Sequence, residues 1–228
     1  MIQVKNLNKS YGKKKVLKDM SFSIPQRRSV ALLGPNGSGK TTLFKCLSGI
    51  TDIDSGEIVV DTDIIDEVHG IKYVMDYPVL YESLTGTEHV KFVLDINKIK
   101  AERKEIDRLY DLLQVREFCD QRISEYSLGM KKRIQLLGVI LTKPKLLLLD
   151  EFISGLDPIS LKCVEILLND YVKEGNTVVL STHILEIAER ICKDVIFIQD
   201  GTIIQEVSSI KTISKKYNSI EQYYFHMV

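Results

Sequence analysis

The stretch that most constrains this chain is Gly34-Pro35-Asn36-Gly37-Ser38-Gly39-Lys40-Thr41-Thr42, which fits G-x-x-x-x-G-K-[ST] at every fixed position. Gly34, Gly37 and Gly39 carry no Cβ, so the backbone can curl and turn its N–H groups inward. Such a curl, set before the electropositive end of a helix, makes a nest for phosphate oxygens. The flanks supply the context the motif needs. Residues 29–33 (SVALL) read as a short buried strand. Residues 42–49 read as a helix with Leu43, Phe44 and Leu47 on one side and Gly49 as its stop. In that arrangement Lys40 puts a cation on β- and γ-phosphates, and the Thr41 hydroxyl ligates Mg²⁺. The alternative is a glycine-rich turn whose lysine is only solvated.

The remainder of the sequence says what the loop is set into. Residues 2–7 and 16–24 read as strands, with Gly12 and the run Lys13-Lys14-Lys15 as the turn between them. The lysine run reads as a solvated hairpin tip. Residues 56–60 and 71–75 look like further strands. After Pro78, helix-period apolar residues appear among charges over 85–100 and 101–113, with Thr85 or Thr87 as the first cap. Residues 127–141 form another amphipathic helix. We therefore expect a helical insertion over 77–142, within a core made of 1–76 and 143–228. Residues 145–150 are a continuous apolar strand of the kind a parallel sheet buries on both faces. A helix over 157–174, a strand over 177–182, a helix over 184–191 and a hairpin over 194–207 follow. Alternating strands and helices imply a parallel α/β sheet with right-handed crossovers. The tail from Ser208 is expected to add a short helix packed on the core.

Composition narrows the function classes. The chain has 228 residues and is 44% apolar, enough for one large domain with a full core. Lys+Arg and Asp+Glu are both 31, so the basic excess expected of a duplex binder is missing, and no nucleic-acid partner is expected. Cys46, Cys119, Cys163 and Cys192 show no metal-like spacing and read as buried reduced thiols. The start Met1-Ile-Gln-Val-Lys5 does not read as a secretory leader, and no apolar run approaches the ~18–20 residues of a bilayer span. A cytoplasmic location is expected.

Two further groups converge on the phosphate loop. Asp150 and Glu151 end a buried strand, and ligands of open α/β sheets lie at the carboxyl ends of strands. Asp150 is the natural Mg²⁺ partner, directly or through water. Glu151 is then free to orient and deprotonate an attacking water. His183 follows the strand over 177–182 and ends at the same rim, which favours a contact with the γ-phosphate.

The loop, the Leu-rich strand ending Asp150-Glu151, Ser154-Gly155-Leu156-Asp157 and Ser181-Thr182-His183 occur in that order, with Tyr126-Ser127-Leu128-Gly129-Met130 opening a helix between them. In this combination the chain resembles the ATP-binding cassette (ABC) ATPases over nearly its whole length. The resemblance implies an α/β P-loop NTPase fold. Its RecA-like parallel-sheet core would carry an N-terminal antiparallel β sub-domain and an inserted helical sub-domain. It implies that Tyr11 stacks on adenine, and that Gly34, Pro35, Asn36, Gly37, Ser38, Gly39, Lys40, Thr41 and Thr42 hold the triphosphate of ATP. Asp150 supports Mg²⁺, Glu151 is the catalytic base and His183 contacts the γ-phosphate. Ser127 and Gly129 match the signature that binds the partner's ATP, and Asp157 belongs to the loop facing the opposite subunit. The implied assembly is a head-to-tail homodimer or heterodimer with ATP at the interface. It sits on the inner face of the cell membrane through a separate permease.

Three departures from the family pattern stand out. The signature L-S-G-G-Q has become Tyr126-Ser127-Leu128-Gly129-Met130, which keeps the hydroxyl and one glycine but loses the glutamine contact. Asp76 falls where the family has a Mg²⁺-sensing glutamine; aspartate can ligate Mg²⁺ but, ionised, cannot donate. Phe152 stands where proline is usual. The resemblance favours an export subunit. A soluble cassette ATPase and a low-turnover regulatory module are the alternatives. In the permease reading, Pro78, Val79, Leu80 and Tyr81 form an apolar docking patch.

Overall fold

The computed structural model describes residues 2–61 and 70–227. Residues 62–69, which fall within the expected core stretch 1–76, lie outside the described residues. In chain order, β1 (Ile2–Tyr11), β2 (Lys14–Ile24), β3 (Ser29–Leu33) and α1 (Lys40–Leu47) are followed by β4 (Ser55–Val60) and β5 (Ile71–Val74). Three helices come next: α2 (Gly86–Ile96), α3 (Arg103–Leu112) and α4 (Leu128–Leu141). Then β6 (Leu146–Asp150), α5 (Pro158–Lys173), β7 (Thr177–Thr182) and α6 (Leu185–Ile191) alternate. The antiparallel pair β8 (Asp194–Gln199) and β9 (Thr202–Ser209) precedes α7 (Ile210–Tyr217) and α8 (Ile220–Met227).

The central sheet runs β5-β6-β7-β3-β8-β9, parallel from β5 through β8 and closed at one edge by antiparallel β9. A second sheet, β2-β1-β4, is antiparallel. The leucine run of β6 shows why the strand needs apolar residues on both sides. Successive side chains of a strand point to opposite faces. Leu147 and Leu149 join Ile134 and Leu137 of α4 and Val164 and Leu168 of α5. Leu146 and Leu148 join Leu43 and Phe44 of α1 and Leu7 and Leu17 of the antiparallel sheet. Both cores thus meet across one strand, whose last residue is Asp150. The register Leu33↔Thr182 and Asp150↔Ser181 brings the carboxyl ends of β3, β6 and β7 to one rim.

Several local expectations are refined. β1 runs on to Tyr11 and β2 starts at Lys14, so Lys14 lies in the ladder opposite Tyr11 rather than at a free tip. α2 is capped by Thr85, whose side chain accepts from Glu88 N while Glu88 returns a bond to Thr85 N. Thr87 instead bonds Asp120 and the Cys119 carbonyl. α2 stops at Ile96, and Lys98 has a left-handed φ of 54°, so the helix is shorter than its apolar pattern suggests. All four cysteines are buried and free. The tail holds two helices instead of one, anchored by buried Ile210, Ile213 and Ile220 and by Tyr224 stacked on Phe197. The patch expected over 78–81 is split: Pro78 is buried and Leu80 packs partly on the core, while Tyr77, Val79 and Tyr81 are exposed.

The start of the loop leaves no room for a side chain. A Cβ on Gly34 would lie 2.1 Å from the carbonyl oxygen of Ile198 on β8. A Cβ on Gly37, by contrast, would meet nothing within 4 Å, although its φ is 80°. Gly34→Ala is therefore expected to destabilise by about 3 kcal/mol or more, lowering Tm by roughly 6–12 °C. Gly37→Ala meets only the left-handed backbone penalty of about 1–2 kcal/mol. Thermal melts of the two variants side by side check this; equal losses would refute the steric account.

Candidate functional site

Gly37 and Gly39 have φ of 80° and 108°, values an L side chain resists, and they fold the loop around the N-terminus of α1. Beside the loop lies a cavity of about 420 Å³. Asn36, Gly37, Gly39, Lys40, Thr41 and Thr42 line it from the loop and helix, and Asp76 and Glu151 from beyond the ends of β5 and β6. Lys14 and Val16 of β2 close a third side. Lys14 was not singled out in the sequence as a lining residue; its place opposite Tyr11 in the hairpin brings it there.

Lys40 is buried, and its Nζ donates to the carbonyl oxygens of Gly34 at 2.8 Å and Pro35 at 3.1 Å. It also lies 3.5 Å from Glu151 Oε1. The other side of the Glu151 carboxylate meets His183 Nδ1, at 3.1 and 3.2 Å from its two oxygens. Glu151 thus stands between a cation and an imidazole, directly beside the phosphate loop. Its φ of 45° is left-handed, a conformation that costs a non-glycine residue roughly 1–3 kcal/mol and gathers at functional sites. The turn is held by Ser181, whose Oγ and carbonyl oxygen both accept from Glu151 N.

Asp150 lies behind this pair, buried, and accepts at Oδ2 from the Tyr73 hydroxyl at 2.9 Å and at Oδ1 from Ser181 Oγ. With both oxygens engaged, the water-mediated version of its expected metal contact fits better than the direct one. Burial, and then the Asp150 charge, push the Tyr73 phenol well above its ordinary pKa, so it remains a donor. Tyr73 and Ser181 are the neighbours that hold Asp150, and the sequence reading gave neither of them a role. Ser181 had a signal, since it immediately precedes Thr182-His183 at a strand end. Tyr73, inside an unremarkable strand, had none.

Other expected site residues lie outside the cavity. Tyr11 is half exposed at the end of β1, with Lys9 Nζ 5.5 Å from its ring centroid. Ser38 is buried, and its Oγ has no hydrogen-bond partner among the described residues. Gly34, Pro35 and His183 border a smaller hollow of about 210 Å³ with Leu185 and with Tyr224 of α8. Ser127 and Gly129 sit at the start of α4, where Ser127 caps the helix by accepting from Met130 N. They do not line the cavity, but Asp157 is beside them: a Cβ on Gly129 would be 3.9 Å from Asp157 Oδ2. Asp157 also caps α5 through Ile159 N and Ser160 N. The Ser160 hydroxyl bond holds its carboxyl below the ordinary carboxylate range.

The arrangement fits a nucleoside triphosphate with Mg²⁺. Backbone N–H groups, the α1 N-terminus and Lys40 offer positive charge along one wall. Thr41 and Asp76 face the same space, and Mg²⁺ is usually held by one or two carboxylates together with phosphates and water. No cluster of three or more His, Cys, Asp or Glu side chains that could cage a metal by itself occurs among the described residues. Among the same residues no helix is long and apolar enough to cross a membrane.

Comparison with known proteins agrees with this geometry. Residues 17–154 match the family model described as ABC transporter, and residues 120–189 also match one described as AAA domain, putative AbiEii toxin, Type IV TA system. The lantibiotic transport ATP-binding protein SrtF of Streptococcus pyogenes is 32% identical over 90% of this chain and 90% of its own length. The SkfA peptide export ATP-binding protein SkfE of Bacillus subtilis is 35% identical over 91% of this chain and 89% of its own. A solved structure described as the ATP binding subunit of an ABC transporter superposes with a TM-score of 0.85 at 26% identity, covering 100% of this chain and 99% of that one. The fold is that of a P-loop NTPase, and the chain belongs to the ATP-binding proteins of the ABC transporter family.

Proposed function

We propose that this chain binds and hydrolyses MgATP and uses the cycle to drive export of a peptide-like substrate through a separate membrane permease. The observation that carries the hydrolytic reading is Glu151, strained and placed between Lys40 and His183 at the mouth of the phosphate loop. In this reading Asn36 to Thr42 and Lys40 Nζ take the phosphate oxygens and Tyr11 covers the adenine. Glu151 accepts the proton of the attacking water, and His183 orients Glu151 and reaches toward the γ-phosphate. Mg²⁺, when bound, offsets charge on the β- and γ-phosphates; Thr41 and Asp76 would hold it, with Asp150 acting through water.

Ser127 and Gly129 open α4 at the surface rather than over their own loop, which supports a role toward a second ATPase subunit. Two chains set head to tail would each complete the other's site, with Asp157 at the seam. The chain would then divide into a core of 1–76 and 143–228 and a helical sub-domain of 77–142. Tyr77, Val79 and Tyr81, each more than half exposed, supply an apolar docking face for the permease, and hence a station at the inner face of the membrane. The names of SrtF and SkfE favour a peptide cargo.

Two measurements test this. Purified protein should release phosphate from MgATP in a concentration-dependent manner, as a dimer-limited enzyme does. Tagged protein recovered from gently solubilised membranes should carry a multi-spanning partner. An active ATPase with which no multi-spanning protein is recovered from membranes would sink the transport half while leaving the ATPase half standing.

A further inference from the structure

We propose that Lys132 is a positioning residue that ties the start of α4, bearing Ser127 and Gly129, to the loop that carries Glu151. Its ammonium donates to the carbonyl oxygens of Phe152 at 2.9 Å and Ser154 at 2.7 Å. Lys132 is 2% exposed, which is an unusual place for a lysine. A buried ammonium is costly unless its N–H groups are taken up, and here two backbone carbonyls and the Phe152 ring, 5.7 Å away, surround it. Burial lowers its pKa from the ordinary lysine value, while the nearby carboxylates of Asp76 and Glu151 oppose that shift.

The bonded carbonyls are not arbitrary. Phe152 follows Glu151 directly, and the Ser154 hydroxyl reaches back to Glu151 Oε2 at 3.4 Å. Fixing these two carbonyls fixes the turn that holds Glu151 at its left-handed φ. A few residues on, Asp157 lies near Gly129, where an added Cβ would be 3.9 Å from its Oδ2. The segment 152–157 is therefore bonded to α4 through Lys132 at its start, and at its end Asp157 lies beside Gly129 in the first turn of the same helix. Any shift of the Ser127 end of α4 must move the Glu151 turn. A core lysine with no link to the site would not place both of its bonds on the two residues flanking the Glu151 turn. The inference rests on the reading of Glu151 as base and of Ser127 as facing a second subunit, and it adds the residue that joins them.

The test uses the full chain with Lys132→Met, which keeps the stem but has no N–H, and Lys132→Gln, whose shorter amide can reach one carbonyl. Lys132→Met should lower kcat about tenfold or more, while KM and the Kd for a fluorescent MgATP analogue stay within about twofold. Amide hydrogen exchange over 151–157 should rise about fivefold or more, and Lys132→Gln should fall between wild type and Lys132→Met in both readouts. A folded Lys132→Met with wild-type kcat and wild-type exchange over 151–157 overturns the proposal. So does a raised KM with unchanged kcat, which would make Lys132 a ligand contact. Should Lys132→Met fail to fold, Lys132→Gln decides on the same two readouts. Exchange does not depend on turnover: faster exchange in a chain that hydrolyses nothing keeps the tie and removes the ATPase reading.

Discussion

Glu151→Gln lowers MgATP turnover by about 100-fold or more, because a positioned general base contributes roughly 10²–10⁴ in rate. A hundredfold loss corresponds to about 2.7 kcal/mol of transition-state stabilisation. The amide has the size of the carboxylate and can occupy the same left-handed turn, since Ser181 binds the backbone N–H and not the side chain. It cannot accept a proton from water at neutral pH. Nucleotide binding should persist, because Lys40, freed of the carboxylate at 3.5 Å, is more available to phosphate. The expected product is therefore a long-lived ATP-bound dimer, seen by size exclusion in MgATP and absent in ADP. Turnover that survives the substitution would assign the base to another group, with His183, 3.1 Å from Glu151, the first to examine.

The sequence made the core readable where two signals coincided. β3, α1, β6 and β7 each combine an apolar run with a flanking residue of fixed chemistry; β3 and β7 lie where expected, β6 starts one residue later, and α1 lies two residues earlier than 42–49. The phosphate loop was legible because its glycines answer steric demands, as the 2.1 Å approach of Ile198 O to a Gly34 Cβ illustrates. What stayed hidden depends on pairing between distant segments. Lys14 looked like a free hairpin lysine because nothing local says that β2 passes the cavity. Tyr73 and Ser181 are 77 and 31 residues from Asp150, and only the β5-β6-β7 order brings them together. Lys132 had an overlooked trace: it lies four residues before Leu136 and eight before Ile140, on the inward face of α4. A charge at an inward helical position asks for a partner, and that question locates Phe152 and Ser154.

Lys40→Ala is expected to weaken MgATP binding by about 10–100-fold, and to weaken ATP more than ADP. Lys40 is 6% exposed, and its ammonium is held by the Gly34 and Pro35 carbonyls and the Glu151 carboxylate. In the proposed reading it is a cation stored where the outer phosphates arrive, with three N–H groups that can pass from carbonyl to phosphate oxygen without leaving the loop. The net loss of one charge-assisted bond, at roughly 1.5–3 kcal/mol, sets the size of the effect. Bonds to the γ-phosphate exist only for ATP, which sets the order of the two nucleotides. Alanine also leaves Glu151 with His183 and Ser154 as its side-chain partners in this structure, so unbound protein should be slightly less stable and should gain less Tm from nucleotide. Lys40→Arg should rescue little: the guanidinium is a rigid planar fork, larger than the point charge that fits between two carbonyls here. Titration calorimetry with MgATP and ADP decides it. Affinities for both nucleotides within about threefold of wild type would place the phosphates elsewhere, since such a change is under 1 kcal/mol.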